Sequence, residues 1–253
     1  LNAMLTGSLM GRLFGSDPYP SAESMAARYM APREKAYAQL IRYQLPGNFR
    51  SDITSEELTR IHLVSANQAL TVVDGKIVSE GETWEDRYKD IFLYRSRKEM
   101  VEKLESYDIN FSVTSLGRYD HAICLIIGAQ YPDESVPQIW LDKETFRPMR
   151  WIVESSGDPE NPKYSEILYR NWTRHSGAWY PSEIAFFKDG VRIRTMTVTE
   201  VLVNPDFSDD LFGLAKLKSI YLNQAHDATN DSDSAIEESD IEQRIMEFKQ
   251  IYE

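Results

Sequence analysis

Between residues 36 and 203 the chain is written almost throughout in period two, in short segments separated by turn dipeptides. Successive residues of a strand point to opposite faces of a sheet, so this rhythm restricts the chain to β architecture more firmly than any other feature it has. Ala36, Ala38, Leu40 and Arg42 alternate against Tyr37, Gln39, Ile41, Tyr43 and Leu45, and Pro46-Gly47 then turns the chain into residues 48–53. Further strands are expected over 60–65, 69–73 before Asp74-Gly75, and 76–79. They resume over 110–116, 121–130, 138–141, 147–154, 164–172, 179–188 and 191–203.

One helical stretch precedes this rhythm and another, between residues 83 and 107, breaks it. Met25, Ala26, Tyr29 and Met30 follow Ser21 at helical spacing, and Glu99, Met100, Val101, Leu104 and Tyr107 form one face of a second amphipathic helix. Alternating βαβ units are absent. The expected fold is therefore mainly β (α+β), a single curved antiparallel sheet forming an incomplete barrel of about eleven strands with a few covering helices. In the last strand Val191 and Ile193 share one parity and Met196, Val198 and Leu202 the other, which requires a bulge near Arg194 or Thr195. Residues 1–20 read as a flexible arm and 21–222 as the open-barrel domain. Residues 223–253 read as an acidic linker followed by an amphipathic helix through Ile241, Ile245, Phe248 and Tyr252.

Charge narrows the function. The formal net charge is -12, and residues 227–253, with nine acids and two bases, hold -7 of it. Neither part offers the basic face that phosphate binding needs, so nucleic acid is not an expected partner. No window reaches the roughly 18 to 20 apolar residues of a transmembrane helix. The first residues, Leu1-Asn2-Ala3-Met4, resemble an expression scar, and no cleavable signal peptide follows them. Cys124 lies in the apolar run 123–127 and is expected to be a buried thiol.

Chemistry is sparse. His62, His121, His175 and His226 are too isolated to share a metal, and no G-x-S-x-G, P-loop or dinucleotide fingerprint occurs, so neither catalysis, a cofactor nor a metal is expected. Glu82, Glu85, Asp86 and Asp90 cluster as a hydrolase pair would, but read better as a solvated loop. Asp227, Thr229, Asp231, Asp233 and Glu238 match a calcium loop except at Ser232, where the turn needs glycine. What remains is apolar excess on strands. Met149, Trp151 and Val153 share a face, as do Ile167 with Tyr169 and Ile184 with Phe186. A few short helices cannot cover a large curved sheet, so its concave face is expected to bind a hydrophobic ligand, lined by Phe49, Trp151, Tyr169, Ile184 and Phe186.

Five segments in order carry a resemblance: Leu45-Pro-Gly-Asn-Phe-Arg50, Leu70-Thr-Val-Val-Asp-Gly75, residues 138–149, Gly177-Ala-Trp-Tyr-Pro-Ser182 and residues 203–212. Together they resemble the periplasmic lipoprotein-carrier superfamily typified by LolA and LolB, over residues 21–212. The resemblance implies a lidded, non-catalytic open barrel that takes up acyl chains of a lipid or lipidated protein. It also implies a periplasmic or lipid-anchored location in the envelope and a role in outer-membrane lipoprotein sorting. Arg50 matches the arginine that latches the lid in such carriers. An envelope protein-interaction or sensing module, its cavity filled by its own helices, is the alternative.

Overall fold

The computed structural model describes residues 2–11, 35–158 and 160–228. The expected helix at residues 21–30, the calcium-like loop beyond residue 228 and the C-terminal helix through Tyr252 lie outside them.

Among the described residues thirteen strands form one antiparallel sheet. In chain order they are β1 (Asn2–Gly11), β2 (Lys35–Gln44), β3 (Asn48–Thr54), β4 (Thr59–Ser65), β5 (Gln68–Val73), β6 (Lys76–Ser79), β7 (Thr114–Tyr119), β8 (Ala122–Ile127), β9 (Gln138–Asp142), β10 (Pro148–Glu154), β11 (Tyr164–His175), β12 (Ala178–Lys188) and β13 (Val191–Val203). Each strand from β2 to β6 and from β7 to β13 pairs with its sequence neighbour, and β1 joins the two runs by pairing with β2 on one side and β13 on the other. The arm expected at the N-terminus is thus a ten-residue strand over Asn2–Gly11. Its glycines obscure the alternation, and the two neighbouring strands supply its hydrogen bonds.

The edges of the sheet are β6 and β7, which do not pair with each other, so the barrel stays open. Their connection has to run from one edge to the other. It does so across the concave face, through a 3₁₀ turn (Trp84–Lys89), α1 (Asp90–Leu93) and α2 (Arg97–Glu105). Ser96 caps α2, its hydroxyl accepting from the Glu99 N–H at 3.1 Å. On the opposite face a second 3₁₀ turn (Asp209–Phe212) and α3 (Leu214–Ala228) cover β4 and β5, with Phe212 and Leu217 packed on Ile61, Leu63, Leu70 and Val72. The sequence pattern did not predict α3.

Bulges decide which side chains face inward. Between β12 and β13, Phe186 pairs with Arg194 but Phe187 with Arg192, so Ile193 is the extra residue, next to the position that parity required. A second irregularity, opposite Thr6 and Gly7, carries Val201 inward, whereas Leu202, expected with Met196 and Val198, is exposed. A shift between Pro148 and Arg150 separates Met149 from Trp151: Met149 packs on the convex side with Cys124 and Trp140, while Trp151 and Val153 face the concave core. Cys124 is buried.

Candidate functional site

The concave face is floored by aromatic and aliphatic side chains of β2, β3 and β9 to β13 and covered by the edge-to-edge connection, hereafter the lid. Phe49, Trp151, Tyr169, Ile184 and Phe186 all sit on this floor, each no more than 2% exposed. Lid residues stack on four of the five: Tyr88 meets Phe49 at 6.1 Å and Phe186 at 5.8 Å, Trp84 meets Phe186 at 6.2 Å, Phe92 meets Tyr169 at 5.8 Å, and Tyr107 meets Trp151 at 5.9 Å between ring centroids. The geometry is edge-on or tilted, as ring quadrupoles prefer. The Tyr169 hydroxyl also donates to the Tyr88 carbonyl at 3.1 Å, and the Gly47 N–H in the β2–β3 turn donates to the Leu93 carbonyl at 3.3 Å. Ile184 lies in the same core.

Beside this apolar contact runs a buried ionic one. The carboxylates at 82, 85, 86 and 90, expected in a solvated loop, are instead turned onto the sheet, with Glu85, Asp86 and Asp90 at most 3% exposed. Asp86 accepts from Arg60 at 3.0 Å and lies 3.9 Å from His62 Nε2, both on β4; Glu85 accepts from Arg194 on β13 at 3.3 Å. Lys89 pairs within the lid, with Glu82 and with Asp90 at 2.8 Å, and the Tyr107 hydroxyl donates to Asp90 at 2.6 Å. Such burial is tolerable because each charge meets an opposite one.

The titration behaviour follows from these neighbours. Burial pushes the Glu85 carboxyl up to about 7, against the pull of Arg194. Asp86 experiences the same burial, yet the charges of His62, Arg60 and Lys89 hold it well below the usual carboxylate range. Glu82, despite its burial, is drawn down to about 2 by Lys89 and His62. His62 also shares a hydrogen bond with Thr71 through Nδ1 at 2.8 Å. Thr71, His62 and Asp86 are all buried.

Arg50 does hold a backbone carbonyl at a helical turn, but on the outer face, where Nη1 donates to the Leu211 carbonyl at 3.0 Å while Nε and Nη2 engage Asp52. Its neighbour Phe49 points inward. Arg50 therefore fastens the segment leading into α3 rather than the lid, at the mouth of a groove of about 340 Å³ bordered by Ile61, Asp210, Lys216 and Leu217. The sequence pattern did not reveal the ionic role of Arg60, His62 and Arg194. The available signal was charge at inward parity, since Arg60 and His62 share the face of Val64, and Arg194 that of Met196.

No family model matches the chain, and no curated protein does. The fold does match solved structures. A putative outer membrane lipoprotein-sorting protein domain from Vibrio parahaemolyticus superposes with a TM-score of 0.54 at 9% identity, covering 86% of this chain and 91% of that one. A DUF1329 family protein from Desulfovibrio piger gives 0.51 at 11% identity, covering 85% and 91%. A LolA superfamily protein from Nitrosomonas europaea gives 0.49 at 13% identity, over 83% and 89%. The chain has an open β-barrel fold like that of the Vibrio parahaemolyticus domain, as the resemblance of its segments implies.

Proposed function

We propose that the protein is a non-enzymatic carrier that binds acyl chains, of a lipoprotein or another lipid, between the lid and the concave face, in outer-membrane lipoprotein sorting or a related process of the periplasm. The observation that carries this reading is that the lid is a layer laid on the concave face and not a part of the sheet. It adds no strand to the sheet, and it rests on ring stacking and ion pairs that can part without unravelling the ladders. Phe49, Trp151, Tyr169, Ile184 and Phe186 would form the floor on which the chain lies. The way in is the end of the face near β7 and β8, where Leu116 and Ile123 are 54% and 48% exposed on the same side as Ile127, a contact of the concave core. Burial at roughly 0.8 kcal/mol per CH₂ offers a 14-carbon chain about 10 kcal/mol to set against opening the lid.

The fold neighbours support the same class, the Vibrio parahaemolyticus domain being a putative lipoprotein-sorting one. Saturable uptake of a fluorescent fatty acid, abolished by Ile184→Asp in a variant whose circular dichroism is unchanged, is the expected result. Uptake indifferent to charge on the floor, or none at all, overturns it. The full burial of the floor favours a second reading, an envelope protein-interaction or sensing module whose cavity stays filled; that reading predicts no uptake and no small molecule in organic extracts of the purified protein.

A further inference from the structure

Resting on the carrier reading, we propose that Tyr169 is a specificity-determining residue that reads the ligand's acyl carbonyl, in the place where the closed lid sets the Tyr88 carbonyl. Phe92, in α1, lies over a patch of floor rings, its centroid 4.9 Å from Tyr180, 5.8 Å from Tyr169, 5.9 Å from Trp172 and 6.3 Å from Tyr43. Four residues earlier in the lid, the Tyr88 carbonyl accepts the Tyr169 hydroxyl at 3.1 Å. The lid thus offers this part of the floor a hydrocarbon surface with a neutral carbonyl beside it. An acyl chain at its carbonyl end has the same composition.

Tyr169 is singled out by what becomes of its proton. A phenolic hydroxyl has one hydrogen to donate, and in the closed protein the lid takes it. When the lid leaves, that donor stays behind on β11, in the apolar core of the concave face, where it is 2% exposed beneath the closed lid. A chain laid over it keeps water out, so the hydroxyl meets an acceptor on the ligand or is buried without one. The nearby hydroxyls of Tyr43 and Tyr180 are engaged with each other at 3.2 Å. Gly47 also donates to a lid carbonyl, that of Leu93 at 3.3 Å, but it is only half-buried in the β2–β3 turn, where water can take the place of the lid. The buried donor is therefore the one that discriminates between ligands.

Two neutral probes that differ by one carbonyl test this: 1-monooleoylglycerol, an ester, and 1-O-oleylglycerol, its ether, titrated into the full chain below their aggregation concentrations. The ester is expected to bind about tenfold tighter, the scale of a buried donor satisfied against one left unmet. Tyr169→Phe keeps the ring and removes the donor, and should bring the two lipids within about twofold of each other. Because it also frees the Tyr88 carbonyl, Phe92→Ala serves as the comparison: it eases lid opening while leaving Tyr169 in place, so the ratio should stay near that of the native protein. Native protein that binds the ether as tightly as the ester overturns the proposal while leaving carriage intact, and this comparison needs no variant to fold. A ratio that persists in Tyr169→Phe, or that falls as far in Phe92→Ala, also overturns it, since the preference then comes from another donor or from lid opening. Failure of both lipids to bind overturns the carrier reading itself.

Discussion

Glu85 carries a penalty that its neighbours do not. Its carboxyl is raised from the ordinary 4.5 to about 7, so the folded protein favours the protonated form, and the stability linked to this residue is present below pH 4.5 and lost as pH rises through 7. The loss is on the order of 3 kcal/mol at 1.36 kcal/mol per pH unit. Glu82 and Asp86 act in the opposite sense. Their lowered values give stability that is present above about 4.5 and lost as pH falls. Urea unfolding across pH 4 to 8 should therefore show stability declining from about pH 5 towards 7.5 in the native sequence, and Glu85→Gln should flatten that decline. A decline unchanged in Glu85→Gln would mean that another group is responsible.

At the scale of elements, the lid behaves as a core layer built from a connection. Tyr88 wedges between Phe49 and Phe186, so Tyr88→Ala should open a cavity in the middle of the face and cost about 3 to 5 kcal/mol in unfolding free energy, with faster uptake of an apolar probe. A loss below about 1 kcal/mol would show that the rings are not packed as described. Strands were legible because period-two alternation reports a buried face directly, and α2 because Met100, Leu104 and Tyr107 recur at helical spacing. The 3₁₀ turn was not. Trp84–Lys89 holds three charged residues among its six that end up buried, and a charged run reads as solvated until its counter-charges, 26 residues away at Arg60 and 109 away at Arg194, are known.

For the whole molecule, open-barrel topology and lid are one fact. The sheet ends at β6 and β7, consecutive in sequence, so the segment joining them must cross the opening. Sequence pattern supplied most of this frame but not β1, which carries no clean alternation, and not the inward set of β13, where two bulges change parity within one strand. The site was legible to the same extent. That Phe49, Trp151, Tyr169, Ile184 and Phe186 share one face could be read from parity, whereas the ionic contact depended on long-range partners, and Arg50 contacts a backbone carbonyl on the other face.

On the proposed carriage, an acyl ligand displaces the lid and leaves the sheet in place. Amide hydrogen exchange of the full chain, with and without saturating oleate, measures this directly. Residues 84–93 are expected to lose protection on binding while β11 and β12 keep theirs. Oleate bound with residues 84–93 as protected as before would contradict it.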